Sequence, residues 1–527
     1  MMLSMPGIRT RMSQRAACIS IFILLFCAYA YIHQIDAWNH NSRMDALHAL
    51  VVRREMNIDV YAKNTGDKAF VNGHFYSDKA PGIFFLAIPS FAASSAVLTA
   101  LHINVESSAG WFLASWMTVI GSVGMLAAAG GAAFYSILCD WMSRRLAFMA
   151  TVFVFLGAAP FPYATTLFSH SGALGLLTMS LWMLIKRAPA HDALARNILR
   201  CGLDLALVGT AGVVVALLLF APMNSTRLAA LSTLIISLFS VGALYLILGK
   251  RVHRPGKFAS LMKNISSRHL LAGLLAGLAA ISEYPAAIAA AGFLILAWKD
   301  GRRVAICMAA GMSIPVGAIL AYNTAVFGSP FSIGYMYTVF TLQNAPPSLL
   351  GFVLPSPSVL SFLLFSPMRG LFFWSPFLLL MFAGIPAVLA RSRFVGRVLL
   401  AVIVAHVTVI TAHLLPTGGA ALGPRHLAPI VPLIGFFAGS GLRRLPRTGV
   451  ALGALSVGMT TMATLISVMP PERIKDPLAD FYLPRLLTGA LAPNLGRSLG
   501  LSPFWSIGIF VFTLIIVGWW IWKKIPG

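Results

Sequence analysis

Apolar runs of about 20 residues recur along nearly the whole of this 527-residue chain, and the connections between them are short and basic. No other feature limits the fold so strongly. A run of that length, wound as a helix, crosses the hydrocarbon of a bilayer, where its backbone must satisfy itself. The runs fall near residues 17–35, 111–138, 146–167, 171–187, 202–222, 228–249, 270–283, 286–298, 304–324, 371–390, 398–415, 427–442, 448–469 and 504–522. They predict an all-α polytopic membrane protein with about 14 (12–14) transmembrane helices. Only 10% of residues are charged, against roughly 25% in soluble domains. A single integral-membrane domain over 1–527 is the expected organisation.

The net charge of +24 raises nucleic acid as a partner. The distribution excludes it. The basic residues stand in clusters between apolar runs, such as Arg144-Arg145, Arg391 with Arg393 and Arg397, Arg443-Arg444 and Lys523-Lys524. That pattern fits the positive-inside rule and anionic membrane lipids. It puts both termini in the cytoplasm. The outer segments are then the first loop, 36–110, short turns near Ser169, Asn224 and Tyr284, the segment 323–370, the turn 416–426 and the tail loop 470–503. The run 83–103 reads as a helix at the outer interface or only partly inserted, because a full crossing would move Arg144-Arg145 outside. The first run lacks a small-x-small cleavage site and reads as a retained anchor. The cysteines Cys18, Cys27, Cys139, Cys201 and Cys307 form no CxxC or Cys/His cluster, so no disulfide framework or structural zinc is expected.

Against that oily background, the first outer loop is charged. Asp45, Glu55, Asp59, Asp67 and Asp78 are five of only 15 acidic residues. Asp45, Asp59 or Asp67 could act as a general base on an acceptor hydroxyl; singly, each could also be a solvated loop carboxylate. Lys79 precedes Pro81 and an apolar run, a place for a lipid phosphate or for a snorkelling lysine. Further along, His170 lies at an outer turn. Glu283, in Ser282-Glu283-Tyr284-Pro285, caps a short apolar hairpin, and a carboxylate there needs a partner. Arg369 and Arg425 stand among Gly and Pro, where guanidinium groups suit phosphate oxygens or a salt bridge to a loop carboxylate. Asn323 and Tyr335 frame the turn Phe327-Gly328-Ser329-Pro330. No P-loop, Rossmann glycine motif, HExxH or GxSxG is present.

Several blocks, in order, resemble those of bacterial polytopic glycosyltransferases of the C superfamily, the group of the protein O-mannosyltransferases and the aminoarabinose transferase. They are Asn41-Ser42-Arg43-Met44-Asp45, Asn64-Thr65-Gly66-Asp67-Lys68, Gly73-His74-Phe75-Tyr76-Ser77-Asp78-Lys79-Ala80-Pro81-Gly82, Glu283-Tyr284-Pro285, Arg369-Gly370 and Gly423-Pro424-Arg425-His426. The resemblance implies a polyprenyl-phosphate-linked sugar donor, an acidic base in the first outer loop and inversion at the anomeric carbon. It implies a lipid, glycan or protein acceptor, and a bacterial inner-membrane enzyme whose active site is extracytoplasmic. On that pattern Asp45 and Asp67 lead as bases, with Asp36 third. Lys79, Arg369 and Arg425 are donor-phosphate candidates. Asp59, Tyr76, Asp78, His170, Glu283, Asn323, Tyr335 and His426 are substrate-binding candidates. The acidic pair that well-known members carry after the first span is here His40-Asn41, and His170 stands where the aminoarabinose transferase group tends to have Asp. Some members hold a divalent metal ion through carboxylates and histidine; Asp45, Asp67 and His170 are the residues offered for one.

A secondary transporter or flippase is the competing class. It would show paired halves with broken helices at matching positions, and no such internal repeat is visible. A non-catalytic scaffold gives no reason to gather acids around Lys79.

Overall fold

The computed structural model describes residues 12–35, 37–185, 267–339, 352–413 and 415–526. Asp36 and the expected spans near 202–222 and 228–249 lie outside the described residues.

Six described helices are long and apolar enough to cross a membrane: Gly82–Ala100, Ser108–Leu138, Arg302–Phe327, Arg393–Thr411, Pro446–Ile466 and Pro503–Lys524. Shorter apolar helices accompany them, at Gln14–Ala30, Ser169–Ile185, Ser267–Ser282, Ala286–Lys299 and Pro376–Arg391. Small residues set how closely these helices approach. A Cβ on Gly130 would stand 2.6 Å from the Cα of Gly175, so Ser108–Leu138 and Ser169–Ile185 touch backbone to backbone. A Cβ on Gly273 would meet the Met308 carbonyl oxygen at 1.9 Å, locking Ser267–Ser282 onto Arg302–Phe327 in the same way.

The helices alternate in direction and gather their basic ends on one side. There Arg391 donates to the carbonyl of Asp140. Arg145 donates to Ile525 O at 3.2 Å, and Met12 N to Lys524 O at 2.9 Å. The starts of Ser169–Ile185 and Ala286–Lys299 lie at the other end, beneath the first loop.

Three expected runs differ in detail. The run 146–167 is interrupted: the helix Arg144–Phe155 stops before Gly157, and a four-residue turn of helix follows at Pro160–Tyr163. The run 371–390 breaks at Ser375-Pro376 into Leu371–Trp374 and Pro376–Arg391. Gly82–Ala100 has the length of a crossing, yet it runs back along Ser108–Leu138. Ile83 lies against Gly172, close to Leu126, while Ser90 Oγ donates to Met117 O at 3.2 Å. Its first turn is therefore beside the middle of the neighbouring helix.

The first loop is not wholly helical, as an all-α reading expects. After the helix Trp38–His48 comes an antiparallel hairpin of Lys68–Val71 and His74–Ser77, paired Lys68 with Ser77 and Val71 with His74. Its two-residue turn is Asn72-Gly73, with φ of 51° and 85°. Asn-Gly is the preferred pair for a turn with both central φ values positive, which matches the twist of the flanking strands. The other edge takes a bridge from Thr338 to Ala69, with Val339 N donating to Lys68 O at 3.0 Å. The hairpin delivers Asp78 and Lys79 directly onto the start of Gly82–Ala100.

Candidate active site

The helix Trp38–His48 presents two polar faces. Residues four apart share a face, so Asn39 and Arg43 point one way, Asn41 and Asp45 another. Arg43, 2% exposed, donates through Nη1 to Asn39 and through Nη2 to Ser169 Oγ at 3.3 Å. Asp45, fully buried, accepts from Asn64 Nδ2 at 3.1 Å, and Asn41 Nδ2 donates to Asn64 O at 2.9 Å. Its second oxygen has no hydrogen-bond partner. Burial pushes the Asp45 carboxyl up to about 7, against smaller opposing effects of Asn64 and Lys68. Asp45 therefore faces the loop that carries Asn64.

His40 is also buried. Leu167 N donates to its Nδ1 at 3.0 Å, so Nδ1 is the acceptor and Nε2 carries the hydrogen that faces Ser115 Oγ at 2.9 Å. Burial, helped by Arg43, pushes its pKa down to about 3. The histidine in the place of the usual acidic pair is thus a neutral strut between the first loop and the turn before Ser169.

Lys79 carries two carboxylates. Its Nζ lies 2.9 Å from Asp67 Oδ2 and 3.2 Å from Asp78 Oδ1, and 5.3 Å from the centre of the Tyr335 ring. Burial works against the ammonium, but Asp78, Tyr335 and Asp67 outweigh it and hold the Lys79 pKa up. Thr338 Oγ1 donates to Asp78 Oδ2 at 3.0 Å. Asp67 keeps 24% of its side chain exposed, against 3% for Asp78.

A second group gathers around Glu283. Glu283 sits in the turn between Ser267–Ser282 and Ala286–Lys299. It accepts from Ser169 Oγ at 2.5 Å, lies 3.0 Å from His170 Nδ1 and 3.6 Å from His426 Nδ1. His406 Nε2 donates to His426 O at 2.9 Å. Arg43 joins the two groups: it is bonded to Ser169 and acts electrostatically on Tyr335, Glu283, Asp67 and Asp78.

Beside His426 lie the two arginines. Arg369, fully buried, donates to Met368 O at 3.1 Å and to Gly419 O at 3.0 Å. Arg425 stacks over Phe168 at 5.5 Å. The Nε–H of each has no hydrogen-bond partner. Gly418 and Gly419, with φ of 67° and 84°, close over them, and a Cβ on Gly418 would stand 2.5 Å from Arg425 Nε.

Other sequence candidates hold the scaffold. Asp59 accepts from His74 Nδ1 and Phe75 N, both at 2.6 Å, and ties the loop to the hairpin. Asn323 Nδ2 donates to Pro330 O at 3.1 Å and fixes the turn after Arg302–Phe327. Tyr76 packs edge-on against Phe327. The metal-ligand grouping also differs from the expected one. Among the described residues, His170 shares ligand distances with Glu283 and His426, and neither Asp45 nor Asp67 belongs to that group. Arg43 and Ser169 were not singled out from sequence. Arg43 lies within a quoted block, but only its four-residue spacing from Asn39 signals the shared face.

No family model and no curated protein matches this sequence. Among solved structures, the chain is similar to ArnT from Cupriavidus metallidurans bound to undecaprenyl phosphate, with 12% identity, a TM-score of 0.38, and coverage of 96% of this chain and 76% of that one. Against the apo state of that ArnT the figures are 13%, 0.43, 97% and 76%. The oligosaccharyltransferase of Archaeoglobus fulgidus in the apo form gives 11%, 0.38, 86% and 57%. These are broad likenesses in the course of the chain.

Proposed function

We propose that this chain is a membrane glycosyltransferase that moves a sugar from a polyprenyl-phosphate donor to a lipid, glycan or protein acceptor on the extracytoplasmic face. The observation that carries this reading is the pair Arg369 and Arg425. Two guanidinium groups buried side by side, each with an unpartnered Nε–H, call for an anion. They stand at one end of a set of apolar helices, where a lipid phosphate would arrive. The basic turns at Arg144, Arg391, Arg443 and Lys523 crowd the opposite end, which the positive-inside rule assigns to the cytoplasm.

Asp67 is the proposed base. It is the less buried carboxylate of the Lys79 pair, whereas Asp45 is fully buried against Asn64. Asp67 takes the proton of the acceptor hydroxyl as that oxygen attacks the anomeric carbon. The bond from that carbon to the phosphate oxygen breaks, and the electron pair leaves with the polyprenyl phosphate. Arg369 and Arg425 stabilise the charge left there. One displacement inverts the anomeric carbon. Lys79 holds Asp67 in place; Asp78 and Tyr335 position Lys79.

Binding of undecaprenyl phosphate to the purified chain tests the reading. Arg369→Ala and Arg425→Ala should each weaken it about tenfold or more, in keeping with charge-assisted hydrogen bonds of roughly 1.5–3 kcal/mol. Wild-type affinity in both variants would reject the phosphate site.

A further inference from the structure

We propose that a pocket at the opposite end of the molecule from Arg369 and Arg425 binds the phosphate headgroup of one anionic glycerophospholipid, between Arg391 and Arg443. The site is independent of the sugar-transfer reaction. A cavity of about 310 Å³ lies there, among Trp141, Ala387, Ala390, Arg391, Ser440 and Arg443. Pockets for small ligands begin at roughly 300 Å³. The walls come from three elements: the turn after Ser108–Leu138, the end of Pro376–Arg391 and the end of Val431–Arg444.

Basic residues at helix C-termini complement the helix dipole, and basic turns fix topology. Those roles need charge alone and do not account for a framed cavity. Arg391 is held in place: it donates to the Asp140 carbonyl and lies over the Trp141 ring at 4.7 Å. Trp141 in turn packs edge-on against Phe436 at 4.8 Å. The two helices that carry the arginines touch at Gly384 and Gly441, where a Cβ on either would run into a backbone oxygen of the other helix. Among the described residues neither Arg391 nor Arg443 has a salt-bridge partner. Two guanidinium forks without a carboxylate suit the oxygens of a phosphate. The Ser440 hydroxyl makes only a long bond of 3.3 Å to Phe436 O. That exceeds the usual range of about 2.5–3.0 Å, so its hydrogen is available to the same phosphate.

Two features select a lipid over a soluble anion. Phe382, Pro386 and Ala390 are exposed and stand four apart, so they form one apolar stripe that ends at the cavity. Acyl chains lie along this stripe while the headgroup enters between the arginines. Trp141 marks the headgroup level, where tryptophan is enriched. Basic pockets between membrane helices on the cytoplasmic side take anionic headgroups by this chemistry.

The test is lipid binding by the full-length chain, delipidated in detergent, titrated with dioleoylphosphatidylglycerol and read by native mass spectrometry. One phosphatidylglycerol per chain should bind about tenfold or more tighter than dioleoylphosphatidylcholine, which carries the same phosphate without net charge. Arg391→Ala and Arg443→Ala should each weaken it about tenfold, the loss of a charge-assisted hydrogen bond. Arg303→Ala removes the same charge from a basic turn outside the cavity and should change nothing. Ala387→Phe keeps every charge, fills the cavity and should weaken binding as much as loss of an arginine. Inorganic phosphate in large excess should displace little of the lipid. No preference for phosphatidylglycerol in the wild-type chain, an equal loss in Arg303→Ala, or unchanged binding in Ala387→Phe would each overturn the site. Complete displacement by inorganic phosphate would overturn it in favour of a soluble anion. None of these outcomes bears on undecaprenyl phosphate binding at Arg369 and Arg425.

Discussion

Lys79 and the pair Arg369–Arg425 are all buried cations at the same end of the molecule, yet they are satisfied differently. Lys79 has two carboxylates within 3.2 Å and an aromatic face. Arg369 has two backbone carbonyls, Arg425 has an aromatic face, and the Nε–H of each has no hydrogen-bond partner. No described carboxylate reaches salt-bridge distance of either arginine. A buried cation with its carboxylates in place is a structural element, and removing one partner strands the other. A buried cation without one has desolvation cost still to recover, and an anionic ligand recovers it. On the proposed reaction, the phosphate therefore falls to the arginines, and Lys79 is left to orient Asp67.

The largest expected effect breaks the comparison on the carboxylate side. Asp67→Asn should lower sugar transfer in membranes about 100- to 10,000-fold, the range for loss of a general base. Undecaprenyl phosphate binding should change little. Activity near wild type would reject Asp67. On the arginine side, Arg425→Ala should cost about 100- to 1,000-fold in transfer. Arg425→Lys should recover only part of it, because an ammonium cannot reproduce the guanidinium fork. Full rescue by lysine would show that only charge matters there, and the two groups would then be equivalent.

Asp45 and Asp67 sharpen the point within one loop. Among the described residues Asp45 has no salt-bridge partner, and burial raises its pKa to about 7. Between pH 4 and 7 the unfolded carboxyl has already ionised while the buried one has not. Stability should therefore fall as pH rises through that window, and level off above about 7, by up to about 4 kcal/mol. Lys68 is the charged group that acts on it, with Asn64 as its hydrogen-bond donor. Asp45→Asn should remove this slope, raise the thermal midpoint at pH 8, and keep transfer within about tenfold, since it lacks the general-base role. A pH-independent gain, or loss of transfer as deep as that of Asp67→Asn, would put Asp45 back in the chemistry.

Much of this was legible in the sequence because membranes impose a strong code. Apolar run length located Arg302–Phe327 and Pro503–Lys524 almost to their ends, and Arg393–Thr411 with a shift of about a turn. The same code is blind to breaks, so Gly157 and Ser375-Pro376 were absorbed into longer runs. The candidate residues were mostly named, since a charged group in an apolar chain is conspicuous. Their partners were not. Lys79 stands next to Asp78 in sequence, but Glu283 meets His170 and His426 only through three separate turns, and no local pattern encodes that meeting. Asp45 and Asp67 looked equivalent because helix facing depends on the loop that covers Trp38–His48.

The hairpin shows the reverse case, a local signal overlooked because the chain is otherwise helical. Asn72-Gly73 sits between two short strands, and it supplies both positive φ values the turn needs. A Cβ on Gly73 would meet nothing within 4 Å. Gly73→Ala therefore introduces backbone strain alone, of roughly 1–2 kcal/mol. The expected outcome is a small fall in thermal midpoint with the arginine site untouched, so undecaprenyl phosphate binding should stay at wild type. Transfer should fall modestly, because the strand that follows carries Asp78 and Lys79 into place beside Asp67. If binding and transfer fell together, the hairpin would be holding both cation groups, and the division of labour between Lys79 and the arginines would fail.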